Sequence, residues 1–168
     1  MSLLALLRPF GCTVLVYDPY VSDDEARSMN VQAVPLQELL RRSDVVSIHA
    51  PSTAETHRMI GREQLALLRD GTLVVNSARA WPMDEQALIE ALRTRPLWAA
   101  LDVFDAEPLP VDSPLRALSN VLLTPHKAGE TVETYGRQGQ AMIEEVERFL
   151  RGEELRYRVR PDRYDVMA

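Results

Sequence analysis

Short apolar runs along this chain end in polar residues of a consistent kind. The first ends in Asp18-Pro19, the second in His49-Ala50-Pro51 with Ser52, Thr53 and Thr56 just beyond, and the third in Asn76-Ser77-Ala78-Arg79. The fourth carries Asp102 near its end and leads to Glu107, and the fifth ends in Thr124-Pro125-His126. A guanidinium offers a planar, permanently charged fork to a carboxylate. An imidazole beside a carboxylate is suited to proton transfer. Gathered in one cleft, these groups would hold an anion and move a proton. Singly, each has a plainer use. Asp and Asn at strand ends form turns and helix caps as readily, and Arg79 would serve a surface ion pair. His49 reads as a histidine satisfied by nearby backbone, and His57, in a polar stretch, as solvated. His126 differs, because it lies between Pro125 and a Lys-Ala-Gly turn with no apolar face to fill.

The elements that must position them alternate. The runs 13-TVLVY-17, 45-VVSI-48, 72-TLVVN-76, 98-WAALDV-103 and 121-VLLT-124 are short and rich in β-branched residues. They read as strands buried on both faces, the texture of a parallel sheet. Helical spacing separates them. Leu36, Leu39 and Leu40 share a face, as do Leu65 and Leu68, and Ala87, Leu88, Ala91 and Leu92 follow Asp84 as N-cap. The last helix carries one stripe of Val132, Tyr135, Met142, Ile143, Val146, Phe149 and Leu150, with Gly152 in the C′ position. Gly136 and Gly139 within it mark close helix packing. The pattern is α/β, a parallel sheet wound by right-handed crossovers. In such a sheet the C-terminal strand ends share one edge, where ligands bind. The Pro-rich stretch 105-DAEPLPVDSPL-115 is one ordered loop, and residues 153–168 read as a peripheral C-terminal extension.

Composition narrows the classes of function. The chain has 168 residues and a formal charge of −6, from 19 Lys+Arg against 25 Asp+Glu, so no nucleic-acid or anionic-membrane surface is expected. At 46% hydrophobic and 26% charged it is ordinary globular protein. One cysteine, Cys12, excludes an intramolecular disulfide and a cysteine-cluster zinc site, and suits a reduced cytoplasmic compartment. No apolar run approaches the roughly 18 residues of a membrane span, and the start, MSLLALLRPFG, does not read as a signal peptide. The three histidines lack metal-ligand spacing, so no metal is expected.

Asp18 has a specific role available. A carboxylate at the end of the second strand of a Rossmann sheet hydrogen-bonds the adenosine ribose 2′-hydroxyl and repels a 2′-phosphate, which selects NAD over NADP. Pro19 and Tyr20 follow it, with no arginine to take that phosphate. That acid normally lies about 20 residues after a G-x-G-x-x-G turn, and none occurs in this sequence.

The segments 76-NSARAWPMDEQAL-88, 100-ALDVFDAEPLPVDSPL-115 and 121-VLLTPHKAG-129 closely resemble the D-isomer-specific 2-hydroxyacid dehydrogenases, from about residue 3 to about residue 158. The resemblance implies a Rossmann-type parallel sheet flanked by helices, here without the first strand and the glycine-rich turn. It implies NAD as cofactor and a small 2-hydroxy or 2-oxo acid as substrate. Arg79 then matches the catalytic arginine that pairs with the substrate carboxylate. His126 matches the acid/base that exchanges a proton with the carbonyl oxygen, and Glu107 the acid that holds that imidazole. Asp102 matches the residue receiving the nicotinamide carboxamide. The segment from Ala50, Pro51 and Ser52 to Thr56, with Ser77, Ala78, Arg79, His126 and Gly129, matches the loops along the dinucleotide. Relatives commonly dimerise through this domain, so a homodimer is implied.

Departures from the family pattern are local and global. Ala80-Trp81-Pro82 follows the arginine where small residues, often glycines, are usual, and Lys127 stands where an apolar residue is common. A cation there would oppose imidazolium formation unless it points to solvent. The resemblance implies a flavodoxin-like substrate domain in full-length relatives, which these 168 residues are expected to lack. Residues 1–152 therefore read as a partial NAD-binding Rossmann domain whose start lies upstream, with residues 3–10 as the rear of the helix after the glycine turn. Without that turn the pyrophosphate loses its main cradle, so weak or no NAD binding and no measurable turnover are expected of the isolated chain. The alternatives are a non-catalytic NAD-sensing or protein-interaction module, or a truncated relic.

Overall fold

The computed structural model describes residues 3–161. Helix α1 (Leu3–Leu7) runs into a 3-10 turn and leads to strand β1 (Leu15–Val16). Helix α2 (Asp23–Ser28), strand β2 (Gln32–Ala33) and helix α3 (Leu36–Arg42) follow, then β3 (Val45–Ile48), α4 (Arg62–Ala66), β4 (Leu73–Asn76), α5 (Glu85–Thr94), β5 (Trp98–Leu101), β6 (Val121–Leu123) and α6 (Val132–Leu150). Caps form where the sequence places them. The Asp84 carboxylate accepts from the Ala87 amide, and Gly152, at φ 69°, closes α6 with its amide donating to Phe149 O.

All strand pairs are parallel, but they form two sheets rather than one. The larger has the order β3-β4-β5-β6 and the smaller pairs β1 with β2. No ladder joins β1 to β3 among the described residues. Strand β2 is absent from the sequence expectation because its two residues, Gln32 and Ala33, are exposed and carry no apolar run. The expected strand over residues 13–17 shortens to the two residues of β1.

Helices cover one face of the larger sheet. Val46, Ile48, Val74, Ala99 and Leu101 point into a core with Leu40, Leu65, Leu88, Leu92, Leu97 and Leu115. Burying each leucine contributes about 1.5–3 kcal/mol. The opposite face alternates with it, and there Val45, Trp98 and Leu122 are 56%, 55% and 66% exposed. Burial on both faces, expected from the continuous apolar runs, is therefore corrected: a run records the hydrophobicity of two faces and not whether both are covered. The same holds for α6, which has no buried residue although its stripe is present. A Cβ placed on Gly136 or Gly139 would meet nothing within 4 Å outside its own helix, so they mark no close packing among the described residues.

Candidate functional site

Strands β4, β5 and β6 end in step. The Asp102 amide donates to Asn76 O at 2.9 Å, and the Thr124 amide to Leu101 O at 3.0 Å. Parallel neighbours lie about 4.8 Å apart, so β4 and β6 deliver their following loops about 10 Å from each other on one edge. Arg79 leaves the first loop and His126 the second.

Asn76 is 2% exposed and shapes the arginine loop. Its Nδ2 donates to Arg79 O at 2.8 Å, and its Oδ1 accepts from the Ala78 amide at 3.2 Å. The sequence offered Asn76 only as a strand-end turn former, and it forms that turn as an Asx-type bracket. The exposed Arg79 guanidinium donates to Ala78 O and pairs with no carboxylate among the described residues. Ser77 is exposed beside it, with Ala78 half-buried.

Beyond β6, His126 adopts a left-handed φ of 55°, a conformation that costs a branched or bulky side chain energy and needs support. Asp102 supplies it. This carboxylate is 4% exposed; its Oδ1 accepts from the Thr124 hydroxyl at 2.5 Å and the Lys127 amide at 2.8 Å, and its Oδ2 from the Ala128 amide at 2.8 Å. Burial disfavours its charge, but the Thr124 hydroxyl, the two amides and nearby His126 outweigh that and lower its pKa. Two lone pairs per oxygen leave one acceptor position on Oδ2. Asp102 thus holds the whole His126 turn, a role the sequence did not suggest. Gly129 follows in the same exposed turn.

His126 Nδ1 lies 2.7 Å from Glu107 Oε2, while Glu107 Oε1 accepts from the Phe104 amide at 3.0 Å. The hydrogen bond from His126 leads the causes that lower the Glu107 pKa. An ionised carboxylate only accepts, so Nδ1 carries the proton and Nε2 is left to exchange one. Nε2 has no hydrogen-bond partner among the described residues. The pair borders a cavity of about 590 Å³ whose walls include Phe104, Leu109, Leu123 and Pro125. Lys127, a concern beside an acid/base imidazole, forms an ion pair with Glu130. That carboxylate is the first cause raising the lysine's pKa.

The remaining expected residues line the neighbouring strand ends. Thr56 Oγ1 donates to Pro51 O at 2.6 Å and accepts from the Thr53 amide at 3.0 Å, which closes the loop holding Ala50, Pro51 and Ser52 on itself. Trp81 Nε1 donates to Thr53 O at 2.7 Å, and its ring lies against His57 with centroids 4.2 Å apart. His57 is exposed, as its polar stretch implied, and its ring lies tilted at 38° against Trp81. His49 is also corrected: its Nε2 meets the Ser47 hydroxyl at 2.9 Å, not backbone. Asp18, exposed at the end of β1, accepts from the Tyr20 amide at 2.9 Å.

The strand ends test the fit of a dinucleotide. The two sheets share no ladder among the described residues, but the loops after β1 and β3 meet where the Tyr20 hydroxyl donates to Glu55 Oε2 at 3.2 Å. Ligands of an open α/β sheet bind outside the carboxyl ends of its strands. Asp18 and the 50–56 loop both stand at such ends, and the spare acceptor of Asp102 suits an amide donor. The donor and acceptor set fits the ribose and nicotinamide ends of NAD. No group of three or more His, Cys, Asp or Glu able to hold a metal occurs among the described residues.

Asp102 and Glu107 both titrate lower in the folded chain than unfolded. Their stabilising contribution is therefore complete above the ordinary carboxylate range, about pH 4, and drains as the pH falls through their lowered native values. Thermal melts of wild type, D102N and E107Q between pH 6 and 2.5 should show a shallower acid decline in each variant. Three superimposable declines would contradict the assignment.

Residues 1–128 match the D-isomer specific 2-hydroxyacid dehydrogenase NAD binding domain. The chain is 43% identical over 148 residues to D-3-phosphoglycerate dehydrogenase of Methanocaldococcus jannaschii, covering 87% of this chain and 28% of that protein. It is 42% identical over 149 residues to glyoxylate reductase of Korarchaeum cryptofilum, covering 87% and 44% respectively. The holo form of Rhodotorula graminis D-mandelate dehydrogenase superposes with a TM-score of 0.81 at 32% identity, covering 91% of this chain and 45% of that one. The chain thus spans less than half the length of these relatives. No helix among the described residues is long and apolar enough to cross a membrane. With its strand ends, its sequence and its backbone in agreement, this chain belongs to the D-isomer-specific 2-hydroxyacid dehydrogenase family and to the NAD-binding domain of that family.

Proposed function

We propose that this chain supplies the NAD-binding half and the proton-transfer pair of a dehydrogenase that interconverts a small 2-hydroxy acid and its 2-oxo acid. The observation carrying this reading is the Glu107–His126 hydrogen bond through Nδ1, with Nε2 left for a substrate oxygen and Arg79 arriving on the same edge. Asp18, Ala50, Pro51, Ser52, Thr56, Ser77, Ala78, Asp102 and Gly129 would hold the dinucleotide. When bound, NAD supplies or accepts the hydride. Arg79 pairs with the substrate carboxylate and orients the carbonyl. His126 Nε2 gives its proton to the carbonyl oxygen in reduction and removes it in oxidation. Glu107 holds the ring through Nδ1, and Asp102 keeps the turn in place. The apolar walls beside the pair limit water, which strengthens these interactions.

A homodimer in a reducing cytoplasm fits this reading. Cys12 is a free thiol, and Val45, Trp98 and Leu122 leave apolar sheet surface that an assembly would cover.

The test uses NADH with hydroxypyruvate or glyoxylate, on the chain as it stands and on a form extended to the length of its relatives. The extended form should turn over, and R79Q in it should raise KM about tenfold to a hundredfold through the lost charge-assisted pair. Tight NADH binding by the extended form with no turnover of either acid would favour a sensor and reject the enzyme.

A further inference from the structure

The crevice between the loops that follow β1 and β3 has a feature that Asp18 does not account for. Tyr20, two residues past Asp18, extends its hydroxyl to Glu55 Oε2 at 3.2 Å. The contact joins the loop after β1 to the loop after β3. The ring's direction is set at its base, because the Tyr20 amide donates to Asp18 Oδ1. Asp18, Tyr20 and Glu55 are therefore one connected unit with a carboxylate on each lip. Glu55 is the first cause, and Asp18 a lesser one, of the rise in the Tyr20 phenol pKa, so both negative charges act at this point.

Resting on the reading of this crevice as the adenosine end of a dinucleotide site, we propose that Glu55 is a second cofactor-selecting residue, held in place by Tyr20. Its charge joins that of Asp18 in disfavouring a nucleotide phosphorylated at the ribose 2′-hydroxyl. A 2′-phosphate is roughly dianionic at neutral pH. One carboxylate about 10 Å away in water disfavours it about fourfold at low ionic strength. The Debye length is about 30 Å at 0.01 M salt and about 3 Å at 1 M, so the effect fades as salt is added. A hydrogen bond from the ribose hydroxyl to Asp18 would not fade in that way. Tyr20 is a positioning residue, since it places the Glu55 carboxylate without adding charge.

The probes are adenosine 5′-monophosphate and adenosine 2′,5′-bisphosphate, titrated into the chain by NMR at 0.01 M and 0.5 M salt. The quantity read is the ratio of their Kd values. At low salt E55Q should shift the ratio about fourfold toward the bisphosphate, Y20F should shift it less, and D18N more. The E55Q shift should vanish at high salt. An unchanged ratio in E55Q, with D18N still shifting it, overturns the role of Glu55 and leaves the adenosine site standing. An E55Q shift that persists at 0.5 M salt also overturns it, because the cause is then not charge. If wild type binds neither nucleotide at millimolar concentration, the adenosine site itself is rejected and the proposal falls with it.

Discussion

An H126A variant of the extended form should lose turnover by about a hundredfold to ten-thousandfold, the range for removing a positioned general acid or base, while its NADH affinity stays nearly unchanged. In the proposed mechanism one ring nitrogen of the imidazole is anchored and the other exchanges the proton. Nδ1 is engaged by Glu107 at 2.7 Å, and Glu107 is itself fixed by the Phe104 amide. What remains is Nε2, a single proton-exchanging atom facing the site. The dinucleotide contacts expected at Asp18, the 50–56 loop and Ser77–Ala78 lie on other loops and survive the substitution. E107Q should reduce kcat less, because the amide oxygen can still accept from Nδ1 and orient the ring, through a weaker, uncharged hydrogen bond. Steady-state kinetics with hydroxypyruvate and NADH fluorescence titration separate the two effects. A fully active H126A enzyme would remove the histidine from the mechanism.

D102N is expected to destabilise the chain by about 2–4 kcal/mol, a large effect for replacing one oxygen by nitrogen. Three donors converge on this buried carboxylate. An asparagine keeps one acceptor oxygen and turns an NH2 toward a backbone N–H or the Thr124 hydroxyl, leaving a donor without an acceptor. Hydrogen bonds to a buried charge contribute about 1.5–3 kcal/mol each, and an orphaned buried donor costs about 1–3. Urea denaturation should show a lower midpoint with an unchanged slope, and the amide signals of Lys127 and Ala128 should shift. A loss below about 0.5 kcal/mol would mean that the turn carrying His126 is held by something else. T124V, which removes one donor and leaves no orphan of its own, should cost less than D102N.

The local elements were legible because their signals lie in adjacent residues. Alternation of apolar runs and helical spacing marks β3 to β6 and α5. Asp84 three residues before Ala87 marks an N-cap, and Gly152 after the last stripe residue marks the end of α6. The family segments around Arg79, Glu107 and His126 are continuous in sequence, so their order along the strand ends follows from a parallel sheet alone. Strand β2 was not legible, because two exposed residues on an outer strand need no apolar pattern. Trp81 against His57, and Tyr20 against Glu55, join residues far apart in the chain by contacts that no spacing rule encodes.

By itself the sequence determined the α/β class, the family and which side chains stand at the strand ends. Those properties depend on hydrophobic period, cap chemistry and short continuous motifs, each fixed by near neighbours. Only the tertiary structure decided that the strands divide into two sheets and that one sheet face and the stripe of α6 stay exposed. It alone revealed that Asp102 holds the His126 turn. Coverage of an apolar face and the choice of partner for a buried carboxylate depend on which distant segments arrive there, and a linear pattern carries the demand for a partner without naming it.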